Sequence, residues 1–212
     1  METPPIYLDH AATTPVEADV VRAMLLYFGE DYGNPSSVHR WGQRAEYAVS
    51  SARWRVADVL GCRPGEIIFT SCGSESDNLA LRGTTLAARA AGRGNHVVVS
   101  AIEHHAVLNT ACQLRDLYGF DLTVLPVDSF GIVSVDSVTA AIRPDTILVS
   151  VMYANNEIGT LQPIAEISRV TRENGIVLHT DAVQAASQLE LNVDALGVDM
   201  MSLGAHKFYG PK

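Results

Sequence analysis

The order of local patterns along the 212-residue chain constrains its fold more than any other feature. From residue 66 onward, short apolar runs rich in Val and Ile alternate with stretches whose apolar residues recur at helical spacing. The runs span 66–70, 96–100, 122–127, 146–153, 176–180 and 198–203. Alternating βα units with continuously apolar strands predict an α/β fold whose mostly parallel sheet is covered by helices on both faces.

Helical spacing also predicts two helices before the first apolar run and a helix between most of the later runs. The predicted helices span roughly 16–28, 37–60, 75–91, 103–118, 135–142 and 163–174. In the second of these, Trp41, Ala45 and Ala48 share one face, and we expect that face to be buried. Gly61 follows this helix as its predicted C-cap.

Charge and composition exclude several classes of function. The chain has 24 acidic and 15 basic side chains, and its formal net charge of −9 disfavours nucleic acid or an anionic membrane as a partner. No apolar run is long enough for a membrane helix, and Met1–Pro5 lacks the features of a secretory signal. The 3 cysteines are widely spaced, which argues against a disulfide framework or a metal site. We therefore expect a cytoplasmic protein that binds no metal.

Polar residues follow five of the predicted strands, at the edge where ligands bind in open α/β sheets. They lie in Ser71–Glu75, Ala101–His105, Ala154–Glu157, Asp181–Gln184 and Gly204–Lys207. Pyridoxal phosphate needs a lysine for a Schiff base, a carboxylate for its ring nitrogen and N–H groups for its phosphate. The chain has only two lysines, Lys207 and Lys212. Lys207 directly follows a predicted strand and is the better candidate.

Each of these features also has an ordinary structural interpretation. Gly73 and Ser74 could simply begin a helix, and Asp181 could cap a turn. His104 and His105 could be a metal pair, but adjacent residues point apart on a helix. Cys72 is expected to be a small buried residue. The occurrence of all the features together at strand ends is what favours a cofactor site.

Seven stretches then carry a resemblance to a known family. They are YLDHAATTP (7–15), GNPSSVH (33–39), FTSCGSESDNLAL (69–81), EHHAVL (103–108), VMYANNEIGTLQP (151–163), DAVQA (181–185) and HKFYGPK (206–212). In this order they resemble the large domain of the pyridoxal-phosphate cysteine desulfurases, enzymes of the class-V aminotransferase superfamily that serve iron–sulfur cluster assembly. The resemblance implies a fold-type I large domain with a seven-stranded, mostly parallel sheet. It further implies that residues 1–15 form an N-terminal segment, that residues 16–212 form the cofactor-binding domain, and that the C-terminal small domain is absent.

The resemblance also implies roles in the reaction. Lys207 would form the Schiff base and move the substrate's Cα proton, while His104 would stack on the cofactor ring and help in proton transfer. Asp181 would pair with the ring nitrogen, and Gln184 would donate a hydrogen bond to the ring's phenolic oxygen. Asn156 would lie near that oxygen and near the substrate carboxylate.

The implied phosphate contacts come from a second group of residues. Gly73, Ser74 and His206 would bind the phosphate. Many desulfurases have a further phosphate-binding serine at the position that Gly204 occupies here. In this chain, either Ser202 or the backbone must replace that contact.

The activity implied for the complete enzyme is conversion of L-cysteine to L-alanine by a homodimer. The sulfur would pass as a cysteine persulfide to an acceptor or iron–sulfur scaffold protein. Cys62, Cys72 and Cys112 do not match the context of the family's nucleophilic cysteine, so we expect the chain to be the N-terminal part of a longer enzyme with little activity alone. The alternatives are a selenocysteine lyase, a cysteine-sulfinate lyase, an aminotransferase, or a non-catalytic truncated chain that acts as an interaction domain.

Overall fold

The computed structural model describes residues 5–212. The first part of the predicted N-terminal segment, residues 1–4, lies outside the described residues, as does most of the stretch tested for a secretory signal. The described residues form two compact units. One runs from Pro5 to Phe69 and includes Ala205–Lys212, and the other is Thr70–Gly204.

The second unit is built around a five-stranded sheet in which every neighbouring pair of strands is parallel. Its strands are β1 (His96–Ser100), β2 (Asp121–Leu125), β3 (Thr146–Ser150), β4 (Val177–Asp181) and β5 (Met200–Ser202), in the spatial order β2-β1-β3-β4-β5. Five helices belong to this unit: α3 (Gly73–Ala90), α4 (His105–Tyr118), α5 (Val135–Ala141), α6 (Ile164–Glu173) and α7 (Val193–Leu196). The predicted α/β fold is therefore confirmed.

Two apolar clusters cover the two faces of this sheet. On one face, Val98 of β1 and Val149 of β3 pack in a cluster with Ile164 and Ile167 of α6. On the other face, the alternate residue Val99 of β1 packs in a cluster with side chains of α3 and α4. All residues of β1 and β3 are buried, which explains why their three central residues are all apolar rather than alternating.

The first unit contains α1 (Ala18–Gly29), α2 (Arg40–Leu60) and a short 3-10 helix at Pro64–Glu66. The prediction that Trp41 lies in the core of this unit is wrong, since 52% of Trp41 is exposed. A Cβ at Gly42 would lie 2.0 Å from the Ser37 carbonyl oxygen, so α2 packs closely at Gly42 and turns Trp41 outward. Ala45 lies on the buried face as expected.

The structure corrects the predicted number of strands. The sequence predicts a strand at residues 66–70, and the resemblance implies a sheet of seven strands, but the sheet in residues 5–212 has five. Ile67 has extended backbone angles, yet no strand pairs with residues 67–70 in the described part of the chain. Ile68 and Phe69 are largely exposed. An extended segment becomes a strand only when a neighbour supplies hydrogen bonds, and apolar composition alone does not guarantee one.

No helix in residues 5–212 is both long enough and apolar enough to cross a bilayer.

Candidate functional site

The carboxyl ends of β4 and β5 bring two predicted site residues side by side. Asp181 is the last residue of β4, Ser202 is the last residue of β5, and the two are paired in the strand register. Asp181 is buried, and its Oδ1 accepts a hydrogen bond from the Val183 N–H at 2.9 Å. This turn also contains the half-buried Gln184, three residues after Asp181. A buried carboxylate at this position is suited to hold a cationic partner.

The start of α3 provides a place for an anion. Cys72 is the N-cap residue, but its side chain makes no capping hydrogen bond, and the first-turn N–H groups of a helix have no partner within the helix. These groups and the helix dipole favour negative charge. A Cβ at Gly73 would lie only 3.0 Å from Val183 Cγ2, so a side chain there would crowd the turn that follows β4. Cys72 is exposed, which corrects the expectation that it is buried.

Glu75, in the first turn of α3, is already engaged by the chain itself. Its Oε2 accepts hydrogen bonds from the N–H and the hydroxyl of Ser71. These bonds hold the pKa of Glu75 below its ordinary value. The Glu75 carboxylate therefore anchors the loop that precedes α3 to the first turn of this helix.

His104 caps the next helix. Its Nδ1 accepts a hydrogen bond from the Ala106 N–H at 3.1 Å, and the ring is exposed. A neutral His104 must then carry its proton on Nε2, because Nδ1 acts as the acceptor. The helix cap thus fixes both the position of the ring and its tautomer. His105 lies beside it with a ring-centroid separation of 6.1 Å.

The loop after β3 is held by a residue to which the sequence analysis gave no role. Asn155 is buried, and its Nδ2 donates to the Ile102 carbonyl at 2.9 Å. Its Oδ1 accepts from the N–H groups of Glu157 and Ile158. Asn155 therefore ties the loop that carries Asn156 to the segment that precedes His104. The half-buried Asn156 donates to Glu157 Oε1 at 2.7 Å.

A buried polar network beneath these loops was also missed. His179 lies in β4 with no exposed surface; its Nδ1 is 2.9 Å from Ser150 Oγ, and its Nε2 is 3.0 Å from Ser202 Oγ. The Asp77 carboxyl of α3 lies 3.7 Å from the same Nε2. The Ser202 hydroxyl is therefore engaged within this network. A histidine inside an apolar run was the available signal for this network.

Glu103 is a second buried acid at this edge of the sheet. Its Oε1 accepts hydrogen bonds from Ser100 Oγ and from the Met152 N–H. The pKa of Glu103 is raised to about 8, chiefly by burial and to a smaller extent by the charges of Asp181 and Asp77, despite the lowering effect of these two hydrogen bonds. Glu103 is therefore mainly a neutral acid at neutral pH. It connects the end of β1 with the segment that follows β3.

The two remaining predicted site residues belong to the first unit. Lys207 is half-buried, and its Nζ donates hydrogen bonds to the carbonyl oxygens of Ala11 and Ala12. His206 Nδ1 lies 3.1 Å from Thr13 Oγ1, and burial together with the neighbouring Lys207 lowers the pKa of His206. The stretch 7–15 and the stretch 206–212, which are far apart in sequence, are thus joined by hydrogen bonds.

Residues 6–212 match the family model described as aminotransferase class-V. The chain belongs to the class-V aminotransferase family. Within that family, the resemblance to cysteine desulfurases is confirmed by the names of similar proteins.

Two relatives of this class-V aminotransferase chain carry the name cysteine desulfurase IscS. The protein from Methanosarcina thermophila is 50% identical over 211 residues, which cover 100% of this chain and 52% of the relative. The protein from Dictyoglomus turgidum is 48% identical over 207 residues, which cover 98% of this chain and 52% of the relative. The chain therefore spans about half the length of these curated relatives.

Solved structures agree with this family assignment. A structure titled "SspA in complex with cysteine" is 43% identical with a TM-score of 0.91, and the match covers 97% of this chain and 58% of that one. A NifS-like protein is 40% identical with a TM-score of 0.92, and the match covers 98% of this chain and 56% of that one. The fold-type I large domain implied by the sequence is thus confirmed, with five strands in the described residues.

Proposed function

We propose that this chain is the cofactor-binding part of a pyridoxal-phosphate cysteine desulfurase. The observation that carries the proposal is the 50% identity, over 211 residues, to a relative named cysteine desulfurase. The second unit adds chemical support, because it combines a buried carboxylate, Asp181, with a helix start whose capping side chain leaves the first-turn N–H groups available. These are the groups that a cationic ring nitrogen and a phosphate require.

Each predicted residue has a task in this proposal. Asp181 binds the ring nitrogen, Gln184 donates to the ring's phenolic oxygen, and His104 stacks on the ring. Asn156 lies near the phenolic oxygen and orients the substrate carboxylate. Lys207 binds the cofactor's aldehyde covalently.

The phosphate is bound by another set of groups. These are the N–H groups at Gly73 and Ser74, the Ser74 hydroxyl and the His206 ring. Ser202 supports this region from the end of β5. Residues 16–212 form the cofactor-binding domain in this proposal, and residues 1–15 precede it.

When bound, pyridoxal phosphate supplies an electron sink for the bonds at the substrate's Cα. The Lys207 amine, free once the substrate's amino group has taken its place on the aldehyde, would remove the Cα proton of L-cysteine, and His104 would hold a proton at Nε2 for transfer. A cysteine thiolate of the complete enzyme would attack the substrate sulfur, so that an S–S bond forms as the Cβ–S bond breaks. The electron pair would stay with the carbon, which takes up protons and leaves as L-alanine, and the persulfide would remain on the enzyme's cysteine. An acceptor or iron–sulfur scaffold protein receives the sulfur. We propose that the enzyme is a cytoplasmic homodimer.

The activity is tested with the whole natural protein to which this sequence belongs. The enzyme is supplied with pyridoxal phosphate, a thiol reductant and one substrate at a time: L-cysteine, L-selenocysteine or L-cysteine sulfinate. Alanine formation is measured for the natural protein and for Lys207→Ala. The proposal predicts that L-cysteine is used with the highest kcat/KM and that Lys207→Ala abolishes turnover. A clear preference for either other substrate would instead support one of the related lyases.

A further inference from the structure

Three carboxyl groups are buried at the carboxyl edge of the sheet in the second unit. Asp77 is 1% exposed, Asp181 is 4% exposed and Glu103 is 7% exposed. Buried like charges repel one another strongly, so all three groups cannot be ionised together at little cost. Glu103 is mainly neutral at neutral pH, as described above. The distribution of charge at this edge therefore depends on Asp77 and Asp181.

The nearby histidine does not supply a compensating positive charge to Asp77. Burial lowers the pKa of His179 to about 4, so its ring is neutral at neutral pH. Its two ring nitrogens are already bonded to the hydroxyls of Ser150 and Ser202. The 3.7 Å contact between His179 Nε2 and Asp77 Oδ1 is therefore not an ion pair, because the histidine ring carries no charge.

The hydrogen bonds define the environment of Asp77 further. A hydrogen bond from Ser202 favours the ionised form of Asp77, whereas burial and the charge of Asp181 favour the neutral form. The last two effects are the larger ones, and they raise the pKa of Asp77 to about 7. Asp77 Oδ1 is buried with no hydrogen-bond partner in the described residues. The groups that face Asp77 are Asp181 and His179 from β4, Ser202 from β5 and Glu103 from the segment after β1.

We propose that Asp77 is a positioning residue for Asp181: it stays a neutral acid while Asp181 carries the negative charge, and it releases its proton when a cationic ring nitrogen binds to Asp181. This inference rests on the proposed function, because the cation is the ring nitrogen of the cofactor. The bound cation offsets the charge of Asp181, so the repulsion that keeps Asp77 protonated falls. The O–H bond of the Asp77 carboxyl breaks, and the proton passes to solvent.

The first test reads the charge state of Asp77 in the cofactor-free chain. Carbon-13 NMR of side-chain carboxyl groups is recorded across a pH titration, and the Asp77 signal is identified by its loss in Asp77→Asn. We expect Asp77 to titrate near pH 7. Asp181→Asn should lower this pKa because it removes the repelling charge, and Ser202→Ala should raise it because it removes a stabilising hydrogen bond. Asp194→Asn, the matched change on the exposed surface of α7, should leave it unchanged.

Titration of Asp77 in the ordinary aspartate range near pH 4 would overturn the proposal. An Asp77 pKa that is unchanged in Asp181→Asn would also overturn it. If Asp77→Asn does not fold, Asp77 is identified instead as the carboxyl signal whose pKa moves in opposite directions in Asp181→Asn and Ser202→Ala, and the absence of any such signal would overturn the proposal.

The second test measures protons released when pyridoxal phosphate is added in weakly buffered solution near pH 7, read with an indicator dye. The wild-type chain should release a larger fraction of a proton per bound cofactor than Asp77→Asn. Equal release by the two proteins would overturn the proposal. Failure of the wild-type chain to acquire cofactor absorbance would overturn the proposed function instead, and the carboxyl titration would still decide the charge state of Asp77.

Discussion

At the scale of single residues, the candidate site contains two kinds of side chain. Some are candidates for direct contact with a ligand, and others are buried and support the first kind. Asp181 and His104 are the candidates for direct contact, whereas Asp77, Glu103 and His179 lie beneath them and are buried. The sequence predicted the first kind from residue type and position after a strand. It did not predict the second kind, because a Glu beside two histidines looks the same in sequence whether it is buried or exposed.

Glu103→Gln is expected to change the pH dependence of stability. The pKa of Glu103 is about 8 in the folded chain, against 4.5 for an ordinary glutamate. As pH rises from 4.5 to 8, the unfolded chain loses this proton while the folded chain keeps it, so the free energy of unfolding falls across that window. Gln keeps the acceptor for Ser100 and Met152 but cannot ionise. The variant should therefore be more stable than wild type by a few kcal/mol near pH 8, since one pKa unit corresponds to about 1.4 kcal/mol.

Urea unfolding at several pH values between 5 and 8 measures this effect. Glu190→Gln provides the matched control, because Glu190 is exposed, and its curve should run parallel to that of wild type. If Glu103→Gln also runs parallel to wild type, then the account of Glu103 as a buried neutral acid is wrong.

At the scale of elements, the ends of helices and strands position the candidate site. The start of α3 and the cap of α4 position the groups proposed to bind the phosphate and to stack on the ring, and the loop after β3 is held by Asn155. The predicted bounds of these elements were close: β1 matches residue for residue, and α4 begins two residues later than expected. The loop could not be derived in the same way, because its geometry depends on a hydrogen bond to Ile102, more than fifty residues earlier in the chain.

Asn155→Ala is expected to destabilise the chain by about 1–2 kcal/mol, because it leaves a part-buried carbonyl and two part-buried N–H groups without their partner. It should also weaken cofactor binding, since the loop carrying Asn156 loses its attachment. Asn156→Ala is the matched change: its one described bond goes to the adjacent Glu157, so stability should change little. Chemical denaturation and cofactor titration measure the two effects. Equal stability losses in the two variants would contradict this division of roles.

At the scale of the whole molecule, contacts between distant parts of the chain determine which predicted strands form and which side chains are buried. Five of the six apolar runs became strands, and the remaining run, residues 66–70, did not, although it is as apolar as the others. Likewise, the apolar stripe on α2 predicted a buried Trp41, but Gly42 packs closely against Ser37 and Trp41 is exposed, although Ala45 of the same stripe is buried. Fold class and family were predictable because they depend on many residues in a fixed order. Pairing and burial at one position depend on a single neighbour.

The proposal that Lys207 binds pyridoxal phosphate covalently is tested by adding the cofactor, reducing with borohydride and mapping the adduct by mass spectrometry. The sequence supplies its own matched control, because Lys207 and Lys212 are the only lysines. The account predicts one adduct, at Lys207, which persists in Lys212→Arg and disappears in Lys207→Arg. An adduct at Lys212 alone, or no adduct in a chain that folds, would contradict it.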